Sequence, residues 1–225
     1  MESGKDLKAV EKILVEGSKK LYIFFGGIVA GIVIPPFEFF NASKLLQENK
    51  IFLRDFSQSW YHGGITGIGP NIEAIADYLR SEISSIAPAE VIFVGNSMGG
   101  YAAILFSTLT EYGRVIAFSP QTFIGQRLRN KYVDLRWAEQ IARTHQLPFY
   151  RAEYEDLRAV LLSASSGCQV AIYVAADYQL DCHHANYISD IAGVHIHTVQ
   201  GQGHEIIKNL RDTGKLAHIM VSASQ

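Results

Sequence analysis

The stretch Val91-Ile92-Phe93-Val94-Gly95-Asn96-Ser97-Met98-Gly99-Gly100-Tyr101-Ala102-Ala103 runs from four apolar residues, through G-x-S-x-G, into a small-residue segment of helical character. Strand, turn and helix follow one another in the order that presents a serine hydroxyl on a tight bend. That hydroxyl is a weak nucleophile until a base takes its proton, so the bend matters because it puts Ser97 where a base can reach it. The chain approaches itself closely on either side of such a serine, and Gly95 and Gly99 remove the side chains that would collide.

Composition sets the bounds around this turn. At 225 residues, 48% hydrophobic and 19% charged, the chain is long enough for a full core, and a single domain over 1–225 is expected. A formal net charge of −2 with no Lys/Arg run leaves no electrostatic footprint for nucleic acid, which is not an expected partner. Cys168 and Cys182 stand alone, outside any CxxC or metal-ligand spacing, which favours a reducing compartment. The opening Met1-Glu2-Ser3-Gly4-Lys5-Asp6 has neither the basic nor the apolar region of a secretion signal, so a cytoplasmic location is the expectation. Nothing in the sequence speaks to oligomeric state.

Leu21 to Phe37 is free of charge and invites a membrane reading. A helix of that length reaches roughly 25 Å against a hydrocarbon core of about 30 Å, and this one would contain Gly26-Gly27 and end in Pro35-Pro36. A buried central strand at Leu21 to Phe25, apolar on both faces, is the better account, and no membrane span is expected. Strands are also predicted at Lys12 to Val15, Ile51 to Arg54, Val91 to Val94, Arg114 to Phe118, Gln169 to Ala176 and Val194 to Val199, the first forming a hairpin with Leu21 to Phe25. Helices are predicted at Asn71 to Ile86, Met98 to Tyr112 and Ala185 to Ile191. The alternation predicts an α/β fold, a three-layer α/β/α sandwich around a mostly parallel central sheet. Residues 120–167 break the alternation, as either a small cap or a set of surface-helix insertions.

A nucleophilic serine needs a base, and the base needs a carboxylate to fix its tautomer and stabilise its cation. Both are available downstream, at the carboxyl ends of later strands, where the functional groups of open α/β sheets gather. His204 follows the last strand through Gly201-Gln202-Gly203. Asp177 follows Gln169 to Ala176 directly and is the preferred acid, with Asp181 in the same segment as the alternative. His183-His184 are adjacent on one segment and rarely could aim at one ion, so no metal site is expected.

The elbow, the chain order Ser, Asp, His and the glycine pair after an early strand together resemble the α/β-hydrolase superfamily, from about Leu21 to His204. The resemblance implies an eight-stranded fold or an N-terminally trimmed version of it, with Ser97 as nucleophile, His204 as base and Asp177 or Asp181 as acid. It also implies an oxyanion hole made by the N–H of Met98 and that of Gly27 or Ile28. The expected activity is that of a serine hydrolase, a carboxylesterase or thioesterase working through an acyl-serine, with no cofactor and a small-molecule ester or thioester as substrate. An acyltransferase with the same triad and a non-catalytic binding module of the same fold are the alternatives. Trp60 and Tyr61, in the loop Trp60-Tyr61-His62-Gly63-Gly64, either line the substrate pocket or form a buried aromatic corner. With Phe37, Phe39, Phe40 and Phe123 they suggest an apolar acyl group.

Overall fold

The computed structural model describes residues 8–28, 37–165, 167–200, 203–204 and 206–222. Among the described residues seven strands form one sheet: β1 (Val10–Ile13), β2 (Lys20–Phe25), β3 (Asn49–Leu53), β4 (Glu90–Asn96), β5 (Arg114–Phe118), β6 (Gln169–Ala175) and β7 (Val194–Val199). Their spatial order is β1-β3-β2-β4-β5-β6-β7, with β1 antiparallel to β3 and every other pair parallel.

The uninterrupted apolar run Leu21 to Phe25 follows from the place of β2 inside the sheet. Leu21, Ile23 and Phe25 face one core cluster while Tyr22 and Phe24 face the other, and all five are buried. The same alternation divides β4, with Val91 and Phe93 on one face and Ile92 and Val94 on the other. One face is covered by α1 (Ile72–Ile86), α2 (Met98–Thr110), α5 (Leu157–Ser163) and α6 (Gln179–Tyr187). Behind the other lie α7 (Ile206–Asp212) and α8 (Lys215–Ser222), through Ile206, Leu210, Leu216 and Met220. Helix α1 starts where the sequence says it should, Asn71 Oδ1 accepting the Ala74 N–H at 2.8 Å. Among the described residues no helix is long and apolar enough to cross a membrane; residues 29–36 of the apolar stretch lie outside the described residues.

Two expectations fail. The hairpin between the first two strands does not form: β2 already has parallel partners on both edges, β3 and β4, so β1 adds to the outer edge of β3. The helix expected at Ala185 to Ile191 instead runs from Gln179 to Tyr187. Its buried face is Asp181, His184 and Ala185, a helical spacing occupied by polar groups, which apolar periodicity does not register.

Between β5 and β6, the segment 120–167 contains α3 (Gln126–Tyr132), α4 (Ala138–Thr144), a 3₁₀ turn (Ala152–Tyr154) and α5. Its two ends are tied together by Leu157 N–H to the Thr122 carbonyl at 2.9 Å and Ile124 N–H to the Glu155 carbonyl at 2.8 Å. Leu128, Ile141 and Leu157 are buried beneath it, and its loop between α3 and α4 turns back toward the carboxyl ends of the strands through Asp134 and Arg136.

Candidate active site

Strand β4 ends at Asn96 and α2 begins at Met98, leaving Ser97 alone on the bend with φ 53° and ψ −116°. A left-handed φ at a serine is strained, and it persists because the surroundings over-determine it. The Ser97 N–H donates to the Phe118 carbonyl at 2.9 Å, while its own carbonyl accepts the N–H groups of Tyr101 at 3.0 Å and Gln121 at 3.3 Å. The glycines are required as the motif suggests. A Cβ on Gly95 would lie 2.0 Å from the Gly99 carbonyl oxygen, and one on Gly99 would lie 2.3 Å from that of Phe25.

His204 reaches this serine from beyond β7, its Nε2 3.0 Å from Ser97 Oγ and its Nδ1 2.7 Å from Asp181 Oδ2. Against a carboxylate Nδ1 carries the proton, which leaves Nε2 to accept the serine hydroxyl. The carboxylate is that of Asp181 and not the preferred Asp177. Asp177 is exposed in the turn after β6, whereas Asp181 sits in the first turn of α6, fully buried and facing the imidazole. Starting α6 at Gln179 is what carries Asp181 inward, and a carboxylate in a helix's first turn is favoured by the helix dipole.

The second oxygen of Asp181 is also held. Oδ1 accepts from Arg136 Nη1 at 2.8 Å, and the same guanidinium grips Asp134 through Nε at 2.9 Å and Nη2 at 2.8 Å. Asp134 in turn meets Nε2 of the buried His184 at 2.9 Å. The Thr122 N–H donates to His184 Nδ1 at 3.0 Å, so Nε2 is the protonated nitrogen and donates to Asp134. Burial would raise the Asp181 carboxyl, but the His204 hydrogen bond and charge and then Arg136 outweigh it and hold the group below the usual carboxylate range. Burial pushes the His184 imidazole down, which keeps it neutral.

On the other side of the serine, Met98 opens α2, where a backbone N–H has no acceptor within the helix. The N–H of Gly27 is engaged: it donates to Glu38 Oε2 at 2.9 Å, while Asn96 Nδ2 donates to Oε1 at 3.0 Å. Ile28 is partly buried against the core. Enclosure raises the Glu38 carboxyl from 4.5 to about 7, against the lowering effect of Gly27, Asn96 and the charge of His204. Between these two values the native state keeps a proton that the unfolded chain has released, so stability is lost as pH rises from 4.5 through 7. Relative to Glu38→Gln, the wild type is therefore expected to lose up to about 3 kcal/mol over that window. Urea melts of both proteins from about pH 4 to 8 check this; parallel curves would contradict it.

Protein-family models and curated proteins return no match to the sequence. Solved structures do. A capsule O-acetyltransferase of Neisseria meningitidis serogroup A superposes over 98% of this chain and 93% of its own, with a TM-score of 0.70 at 13% identity. A fluorophosphonate-binding serine hydrolase of Staphylococcus aureus covers 94% of this chain and 91% of its own, with a TM-score of 0.64 at 15% identity. An alpha/beta hydrolase enzyme from a lagoon-sediment metagenome covers 97% of both chains, with a TM-score of 0.57 at 12% identity. The chain has the α/β-hydrolase fold.

Within that α/β-hydrolase fold, Trp60 and Tyr61 are core residues behind the elbow rather than walls of an opening. Both are fully buried, Trp60 donating Nε1–H to Gln121 Oε1 at 3.0 Å and Tyr61 donating its hydroxyl to the Gly26 carbonyl at 3.0 Å. Asp55 organises their loop, accepting the N–H groups of Ser57, Ser59 and Tyr61. Phe39 and Phe123 are buried as well, and Phe37 and Phe40 border a surface groove with Arg54 and Asn41. Sequence reasoning misses Glu38, Asp134 and Arg136. No local pattern marks them, although the spacing Asp181, His184, Ala185, Ile188 is a helical stripe that identifies α6 and its acid once polar residues are admitted to it.

Proposed function

We propose that this chain is a serine hydrolase that cleaves an ester or thioester through an acyl enzyme on Ser97. The observation that carries the reading is the continuous hydrogen-bonded line from Ser97 Oγ to His204 Nε2 and from His204 Nδ1 to Asp181, with Ser97 held in a strained bend at the N-terminus of α2. His204 takes the hydroxyl proton as Oγ attacks the carbonyl carbon, Asp181 stabilises the imidazolium, and the Met98 N–H, without an acceptor inside α2, holds the developing oxyanion. Collapse of the tetrahedral species expels the alcohol or thiol, which leaves with the proton from His204. Water then attacks the acyl-serine with His204 again as base, releasing the acid.

The acyl group is taken to be apolar and short, because Trp60, Tyr61, Phe39 and Phe123 are spent on the core and of the six aromatics only Phe37 and Phe40 border a surface groove. A second acceptor is favoured by the superposition on a capsule O-acetyltransferase over nearly the whole chain: in that reading a hydroxyl compound replaces water in the second step. The test is a chain-length series of p-nitrophenyl esters and acyl thioesters, assayed with and without a polyol. Acetyl and propionyl donors are expected to turn over fastest, and a polyol that raises turnover and becomes acylated selects transfer over hydrolysis. A maximum at long acyl chains would contradict the small-acyl reading, and no turnover of any donor would contradict the acyl-serine mechanism.

A further inference from the structure

We propose that Arg136 is a positioning residue for the triad acid, and that Asp134 tempers its charge so that Asp181 remains an effective partner for His204. The inference rests on the acyl-serine reading and concerns a residue far from Ser97 in sequence, in the loop between α3 and α4.

Asp181 is completely buried, so both of its oxygens require donors, and one is already committed to His204. The other receives a guanidinium N–H, a full positive charge. An undiluted cation there would draw off the negative charge that stabilises the imidazolium. The geometry counters this. Asp134 takes three donors from Arg136, its backbone N–H at 3.0 Å, Nε and Nη2, whereas Asp181 takes only Nη1. The fork is thus anchored on Asp134, and a single arm reaches the triad.

The surroundings hold this arrangement in place. Arg129 donates Nη2–H to the Arg136 carbonyl at 3.0 Å, His184 holds the far side of Asp134, and the Tyr178 ring packs beneath both Arg136 and His204. The charged and titratable groups around the acid and base are therefore Arg136, Arg129, Asp134 and His184 behind Asp181, Tyr178 and Cys182 beside it, and Glu38 on the oxyanion side. Two of them can be changed to move the basicity of His204 in opposite directions. Loss of Arg136 frees the whole Asp181 charge for the imidazolium, and loss of the Asp134 charge turns Arg136 fully onto Asp181.

The readout is the rate of Ser97 labelling by a fluorophosphonate as a function of pH, which needs no substrate, alongside kcat and KM on p-nitrophenyl acetate. In Arg136→Met the acid limb is expected to move up by about one pH unit, and in Asp134→Asn to move down, while kcat falls at least about tenfold in Arg136→Met with KM little changed. Arg136→Lys keeps the charge without the fork and is expected to return the limb but not kcat. Limbs that stay at the wild-type pH in both folded variants, or that move the same way, overturn the proposal. If Arg136→Met does not fold, Arg136→Lys decides, since wild-type kcat in that variant overturns it. Wild-type protein whose Ser97 is not labelled at any pH overturns the acyl-serine reading instead, so the two failures are distinct.

Discussion

Asp181→Asn is expected to lower kcat on p-nitrophenyl acetate by about 10⁴, while Asp177→Asn stays within a factor of about three of wild type. The contrast follows from position. Asp181 is fully buried with Oδ2 2.7 Å from His204 Nδ1, so an amide there offers either a wrong donor or a weaker acceptor and lets the imidazole take the other tautomer. The same substitution would leave Arg136 Nη1 facing a neutral amide, although Asp134 would still neutralise the guanidinium through Nε and Nη2. Asp177 is exposed, and water screens whatever field it exerts on the site. Steady-state rates of the two variants at about pH 8, above the ordinary histidine range, decide the matter. The reverse order, with Asp177→Asn crippled and Asp181→Asn nearly intact, would return the acid to Asp177.

Ser97→Ala is expected to have the largest effect on turnover, a loss of about 10⁶, because it removes the atom that carries the acyl group. Its cost in stability should be small. The Ser97 side chain meets His204, while the hydrogen bonds that fix the bend are made by its backbone to Phe118, Tyr101 and Gln121. The melting temperature is expected to stay within about 4 °C of wild type, so a folded and inactive variant is the predicted result. Residual activity within about tenfold of wild type would mean that another group performs the attack.

The parts of this molecule legible in sequence are those fixed by local constraints. The bend at Gly95 to Gly99 is readable because steric exclusion around Ser97 acts over a few residues, and β5 and β7 have the bounds expected of them because turn residues flank them. The pairing of β1 with β3 is not readable, since it depends on β2 having both edges filled by distant segments. Which of the two aspartates meets His204 is not readable for a related reason. Distance along the chain from β6 favours Asp177, but the buried face of α6 is polar, and its groups are satisfied by Arg136, Thr122 and Asp134 from elsewhere in the chain. Glu38 likewise meets Gly27 and Asn96 only through the tertiary fold.

An activated serine at this elbow is tested by covalent labelling of the wild-type protein with a fluorophosphonate, the modified residue located by peptide mass mapping. A single adduct on Ser97, lost in His204→Ala and slowed in Asp181→Asn but not in Asp177→Asn, is the predicted result. No adduct, or one on any other residue, would contradict an activated serine at this elbow.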